Sequence, residues 1–514
     1  MSKTIIIIGA GLAGLSAALQ AAENGCNVKL VSSLPSERAQ SVMAEGGINA
    51  ALNTKDENDS PEEHFTDTIK AACGLADPNA VWGMTQAAPE LVHWLLKLGV
   101  KFNMSGYDDV DLRNFGGQKK KRTAFAQSDT GKQIMTAMID AVRRKEASGM
   151  VERFSHHSFL TLRLCGNICC GCVIRDEYSQ EIVELPGDAV IVATGGMHGL
   201  FGNTTGSLSN TGEVTAELFR LGVPLANGEM IQYHPTTVKC GGKRMLISEA
   251  ARGEGGRLFA MKDGKQWYFM EEKYPELGNL MPRDITAREI WKVSHESEVF
   301  LDMTEISEEI ISNKLSGLAD DCMTYLHKDI RKEPVSVLPG IHYFMGGILV
   351  DEQHRTPIQN LCAAGECCAQ YHGANRLGGN SLLGALYGGR VAAKSACEQA
   401  DVVDLSCATQ IDFPPASQIS EIKQLNKVMQ ETMGVVRNEN TLLNGIKTVQ
   451  ALTGNLPLLG MAVLKSALAR KESRGAHWRE DYPKSNDDDY LKTTVARFDG
   501  KQIQISFVPV PERR

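Results

Sequence analysis

Arg376 stands where its own segment offers it no partner. It lies in the run YHGANRLGGNSL (371–382), among glycines and asparagines and without an Asp or Glu. A guanidinium is charged at ordinary pH, and its planar fork of N–H donors fits carboxylates and phosphates. The residue therefore expects an anion from elsewhere. Six more runs carry His, Arg, Ser or Glu, four of them beside glycines, and read as ligand loops. They are RAQSVMAEGGINAAL (38–52), RNFGGQKKKRTAFAQSDTG (113–131), EMIQYHPTTV (229–238), LISEAARGEGG (246–256), MPRD (281–284) and GIHYFMGGI (340–348). Glu249 and Arg252 are three apart, so on a helical turn they face the same way. Single features also have structural readings. Ser248–Glu249 reads as a helix cap, KKKR (119–122) as a solvated face, and His156 and His157 as structural histidines.

These loops need a scaffold to bring them together. KTIIIIGAGLAGLSAALQAAENGCNVKLVSS reads as strand, glycine turn, helix, strand. That is a βαβ unit and implies a parallel sheet. Gly9, Gly11 and Gly14 form G-x-G-x-x-G at its turn. Glycines there allow a tight turn and close approach of backbone to a pyrophosphate, and the helix N-terminus adds free N–H groups. The acidic residue that usually closes the second strand on ribose hydroxyls is replaced by Ser32 and Ser33, so the motif leaves NAD and FAD open. Further strand signals occur at 188–196 and 360–368, with a region of different texture between them. The expected architecture is α/β: a Rossmann-like domain (1–233 and 342–400) with an inserted α+β capping domain (234–341). A helical domain (401–480) and a short sheet-forming tail (481–514) follow.

The bulk composition sets limits. A net charge of -8 over 514 residues argues against a nucleic-acid or anionic-membrane partner. The cysteines, 13 in number and irregularly spaced, argue against a disulfide framework and for a reducing compartment. The densest group, Cys165, Cys169, Cys170 and Cys172, sits in strand-like alternation and reads as small buried packing, so no metal site is expected. No segment reads as a membrane span.

In order and number, the loops closely resemble those of the flavoprotein subunit of the fumarate reductase / succinate dehydrogenase family, from about Thr4 to near the C-terminus and including ARKESRGAHWRED. The resemblance implies FAD as cofactor and a four-carbon dicarboxylate, fumarate or succinate, as substrate. By motif, Arg376 and His342 correspond to the clamps for one carboxylate, and His234 and Ser248 to the groups that bind the other. The anion missing at Arg376 is then the substrate, gripped between two cationic jaws. Arg283 corresponds to the family's proton donor, with Glu249 and Arg252 as its relay. Glu366 matches the family's ribose-binding acid, and Glu213 stands where Asp is commoner. Gln40, Ser41, Gly46, Gly47, Thr194, Asn380, Ser381 and Leu382 fall in the implied cofactor-binding segments, and the helix opening near GGNSL would aim its N-terminus at the flavin.

Two departures refine this. Members with covalent FAD carry a histidine in an S-H-T-V-A-A-E-G-G-like run, and the matching position here is Gln40 in AQSVMAEGG. Non-covalent FAD is expected, with a lower flavin potential that favours fumarate reduction. L-aspartate oxidase, a close relative, reads its substrate's amino group with a glutamate in R-E-G-G; here the run is RNFGG, with Phe115 at that place. Aspartate oxidase is therefore the second reading. An electron-transfer subunit, or a reductase of another unsaturated acid, stands behind it. With no iron–sulfur ligand pattern in the chain, electrons are expected from a separate iron–sulfur subunit or a soluble donor. The expected location is the cytoplasm, or a membrane periphery reached through partner subunits.

Overall fold

The isoleucines that open the chain are shut away from water, with Ile5, Ile6 and Ile7 fully buried. Such a run suits an inner parallel strand covered on both faces. The computed structural model describes residues 2–106, 109–399, 413 and 418–514. In chain order the strands that matter here are β1 (Thr4–Ile8), β2 (Asn27–Ser32), β3 (Val151–Ser155), β4 (Ala189–Val192) and β5 (Ile231–Cys240). They continue as β6 (Lys243–Leu246), β7 (Leu338–Phe344), β8 (Leu361–Ala363), β9 (Lys492–Phe498) and β10 (Ile503–Pro509). The helices are α1 (Leu12–Glu23), α2 (Glu249–Gly253), α3 (Arg283–Val293), α4 (Asn380–Gln399), α5 (Ile419–Thr432), α6 (Glu439–Val449) and α7 (Asn455–Ala469).

The central sheet runs β8-β4-β1-β2-β3 with every pairing parallel, as the βαβ reading requires. Alanine-rich α1 lies on this sheet against α4. A Cβ at Gly389 of α4 would come within 2.3 Å of the Ala13 carbonyl, so the two helices touch backbone to backbone. Against the other face pack Cys169, Cys172 and Ile174 of an antiparallel three-stranded sheet (157–186). Cys169, Cys170 and Cys172 are free and buried, as packing residues. Cys165 departs from the sequence reading: it is half-buried at its strand's end and disulfide-bonded.

Two antiparallel sheets occupy the expected insertion. One is ordered β6-β5-β7. The other joins Arg257–Lys262 to Lys265–Trp267 and Val299–Asp302, with Val335–Ser336 at its edge. Ile247, Leu258, Phe269, Ile290 and Leu301 share one core there. The expected joints at 233/234 and 341/342 both fall inside β5 and β7, which pair with each other.

Of the expected helical domain, residues 401–412 and 414–417 lie outside the described residues. α5, α6 and α7 pack around Leu425, Met429, Leu442, Leu459 and Val463. The tail forms the hairpin β9–β10, and β9 pairs with Leu225–Ala226 of the first domain. Arg470, fully buried, joins these parts by bonding Glu229 (2.7 Å), Glu472 (2.7 Å), Thr494 (2.7 Å) and the Lys492 carbonyl (2.7 Å). Among the described residues, no helix is long and apolar enough to cross a membrane.

Candidate active site

A cavity of about 1260 Å³ opens at the glycine turn and runs to the cap. The turn is glycine for steric reasons. Gly9 has φ +111°, and a Cβ there would lie 2.3 Å from the Ala193 carbonyl. A Cβ at Gly14 would lie 1.8 Å from the Gly9 carbonyl, so helix and turn can close up only without it. Gly11 precedes α1 with no side-chain cap of its own. Ser41 Oγ reaches across to accept from the Leu12 N–H at 3.2 Å. Ser32, at the end of β2, has a buried hydroxyl with no hydrogen-bond partner among the described residues. Gln40 is fixed by accepting from the Ser207 N–H at 2.6 Å.

Gly9, Gly11, Ser32, Gln40, Ser41, Gly46, Gly47, Thr194, Glu213, Glu366, Ser381 and Leu382 line the cavity. Gly14 lies behind it as a packing glycine. Asn380 is a correction: its amide is spent inside the protein. It bonds His64 (2.9 Å), Asn49 (2.7 Å) and Thr68 (3.0 Å), which anchors the start of α4. His156 and His157 are a second correction, since both line the cavity. A third is Arg122 of KKKR, which is fully buried and pairs with Asp59 and Asp67, each at 2.9 Å. Lys119 and Lys121 are exposed, as a solvated face requires.

The inner end is built where β5 and β7 pair. His234 lies opposite Gly340 in the register and Gln232 opposite Tyr343, with an irregularity between Gln232 and Tyr233. The strands thus bring His234 and His342 to 5.1 Å between ring centroids, although 108 positions separate them. His342 Nδ1 is held by the Thr205 hydroxyl at 2.8 Å, and His234 Nδ1 lies 3.1 Å from the Thr236 carbonyl. Ser248 does both things the sequence allowed. Its hydroxyl accepts from Ala250 N–H as the N-cap of α2, and the residue lines the cavity. Phe115 lies beside it, almost fully buried.

Arg283, the first residue of α3, donates Nε (2.8 Å) and Nη2 (2.6 Å) to Glu249 Oε2, and Nη1 to Gln232 at 3.1 Å. Glu249 Oε1 accepts from Arg252 Nη2 at 3.2 Å, the one-turn contact that the three-residue spacing predicts. Arg252 stands behind the cavity, and Arg283, Glu249, His234, His342 and Arg376 line it. The Arg376 guanidinium is 3 % exposed and has no hydrogen bond or ion pair among the described residues. It rests over the Tyr343 ring at 4.4 Å.

Burial pushes the Glu249 carboxyl up, but Arg283 and Arg252 outweigh it and hold the group below the usual carboxylate range. Burial, reinforced by Arg283 and Arg252, holds His234 well below the ordinary histidine range. Burial, His234 and Arg283 do the same to His342. The two jaws expected to be cationic are therefore unequal. Their imidazoles are neutral hydrogen-bonding groups, and the charge sits on guanidiniums. Glu249 is bonded to both Arg252 and Arg283, so that trio keeps one net positive charge, and Arg376 adds a second with no bonded acid among the described residues. Glu45, in the same wall, is pushed up to about 8 by burial, with Asp321 and Asp129 adding repulsion.

The sequence reading missed Gln232, which bridges Arg283 to Asn375 (3.0 Å) and to the Arg376 carbonyl (2.9 Å). It also missed Tyr343 and Thr205. Gln232 lies two positions before His234 and Tyr343 directly after His342, both in quoted loops, and that proximity was the available signal.

Residues 4–382 match the family described as FAD binding domain, which fixes the class as an FAD-binding protein. Residues 452–513 match the family described as fumarate reductase flavoprotein C-term. The chain is 38% identical to the succinate dehydrogenase flavoprotein subunit of Bacillus subtilis, over 100% of this chain and 98% of that one. It is 32% identical to the 8-methylmenaquinol:fumarate reductase flavoprotein subunit of Wolinella succinogenes, covering 100% and 92%. In structure it superposes on E. coli quinol fumarate reductase with a TM-score of 0.90 at 27% identity, covering 99% and 97%. The chain belongs to the succinate dehydrogenase and fumarate reductase flavoprotein family.

Proposed function

We propose that this protein interconverts fumarate and succinate as the FAD-bearing subunit of a larger complex. The observation that carries the reading is Arg376, a buried guanidinium without a bonded partner among the described residues, facing a cavity already lined by Arg283. Two uncompensated charges call for a dianion. A four-carbon diacid supplies one, with a carboxylate at each end. On this reading residues 1–233 and 342–400 hold the cofactor, 234–341 cap the substrate, and 401–480 with the tail 481–514 complete the subunit.

FAD bound here would, once reduced by the electron donor, supply hydride to one central carbon of the diacid. The chain's residues do the rest. Arg376 and His342 hold one carboxylate, and His234 and Ser248 bind the other, drawing charge from the double bond so that its carbon accepts hydride. Arg283 donates a proton to the neighbouring carbon, and hydride plus proton turns fumarate into succinate. Glu249 orients Arg283 through two N–H bonds and passes the replacement proton from Arg252. Phe115 and the cap keep water out. Gln40 offers an amide where a covalent link needs a histidine, so FAD is held without a bond to the chain. Electrons arrive from an iron–sulfur subunit or a soluble donor, and the protein works in the cytoplasm or at a membrane periphery through its partners.

The test compares fumarate with crotonate, which has the same chain but only one carboxylate. Fumarate is expected to perturb the flavin spectrum at a concentration at least about 100-fold lower, since crotonate leaves the buried polar groups at one end of the clamp unpaired. Equal affinities would reject the two-ended clamp.

A further inference from the structure

Behind the cavity wall lies a histidine that the proposed reaction does not use. His198 follows β4, is fully buried, and stands edge-on to Phe344 with centroids 5.0 Å apart. Its Nδ1 lies 3.0 Å from Thr204 Oγ1, which itself accepts from the Gly206 N–H at 3.2 Å. The Thr204 hydroxyl has its own proton to donate to Nδ1, and in that arrangement the ring proton sits on Nε2. Among the described residues Nε2 has no hydrogen-bond partner, and it faces Glu366 Oε1 at 3.5 Å. The other tautomer would set a nitrogen lone pair against a carboxylate. The same oxygen of Glu366 accepts from the Phe344 N–H at 3.1 Å. Two glycines make room for this. A Cβ at Gly206 would lie 2.2 Å from the His198 ring, and one at Gly196 would lie 2.7 Å from Glu366 Oε1.

We propose that His198 is a positioning residue for the cofactor, its Nε2–H holding the Glu366 carboxylate at the cavity wall for a polyol hydroxyl of FAD. This rests on the reading of Glu366 as a cofactor-binding acid. The loop that fixes His198 also fixes the rest of the site, because Thr205 bonds His342 and the Ser207 N–H bonds Gln40. The gap of 3.5 Å is longer than a formed bond, and it closes when the ligand hydroxyl draws the carboxylate into place.

The experiment titrates apoprotein with FAD, read by quenching of flavin fluorescence, for wild type, His198→Leu, His198→Gln, Glu366→Ala and the double variant His198→Leu/Glu366→Ala. A hydrogen bond to a charged group supports an expected loss of about tenfold in FAD affinity for His198→Leu. His198→Gln retains a side-chain N–H donor and should stay within about threefold. In the Glu366→Ala background, His198→Leu should cost nothing more, a result that a folding defect would not produce. If Glu366→Ala leaves affinity unchanged, the reading of Glu366 falls. If Glu366→Ala weakens binding while the His198 effect is absent, additive, or not rescued by Gln, the inference about His198 falls and that reading stands.

Discussion

At the scale of the residue, the site is an arrangement of charge that awaits its complement. Arg376→Gln removes one of the two uncompensated charges and should raise the KM for fumarate at least about 100-fold, with the flavin spectrum of the free holoprotein unchanged. Arg283→Ala should lower kcat by about 10²–10⁴, the range a positioned proton donor supplies; single-turnover kinetics would show it. Glu45 gives a pH test. Its folded-state pKa, about 8, lies above the unfolded value near 4.5, so the folded chain keeps a proton that the unfolded chain releases. Stability from this group is full below pH 4.5 and falls as pH rises towards 8. Glu45→Gln should therefore raise Tm at pH 8 and leave it unchanged at pH 4, as differential scanning fluorimetry would record. Charged residues were legible in the sequence because a guanidinium without an acid nearby poses a question. Gln232 and Tyr343 were not, because a neutral side chain makes sense only beside the charge it serves.

At the scale of the element, the glycine turn and the β5–β7 pair carry the geometry. Gly14→Ala places a methyl carbon 1.8 Å from a backbone oxygen that cannot move without the strand. It should cost about 2 kcal/mol or more and release FAD, seen as loss of yellow colour on gel filtration. Thr205→Val keeps the shape and deletes the 2.8 Å bond to His342, so KM should rise about tenfold with FAD still bound. The βαβ unit was readable because alternating sheet and helix patterns are local. The meeting of His234 with His342 was not, because strand register across 108 positions leaves no local trace. For the same reason the expected joints at 233/234 and 341/342 cut through paired strands. Asn380 misled because it opens a helix that borders the cavity while its own amide turns inward to His64.

At the scale of the whole molecule, the parts are locked together by buried charge as well as by apolar cores. Arg470 ties the end of α7 to Glu229 and to the tail, so Arg470→Met leaves acids and carbonyls unpaired and should cost about 3–5 kcal/mol, a clear fall in Tm. The segment ARKESRGAHWRED entered the sequence reading as part of the family resemblance; that its Arg470, Glu472, Arg474 and Arg479 are buried depends on where the tail folds back. The central claim is that the assembled cleft delivers hydride and proton to a dicarboxylate held at both ends. It is tested most directly by reducing the FAD-loaded protein with dithionite under anaerobic conditions and adding one equivalent of fumarate. The oxidised flavin spectrum should return with one succinate formed per flavin in the wild type, and not on the same timescale in Arg283→Ala. A wild-type flavin that stays reduced under fumarate, yet reoxidises in air, would contradict the account.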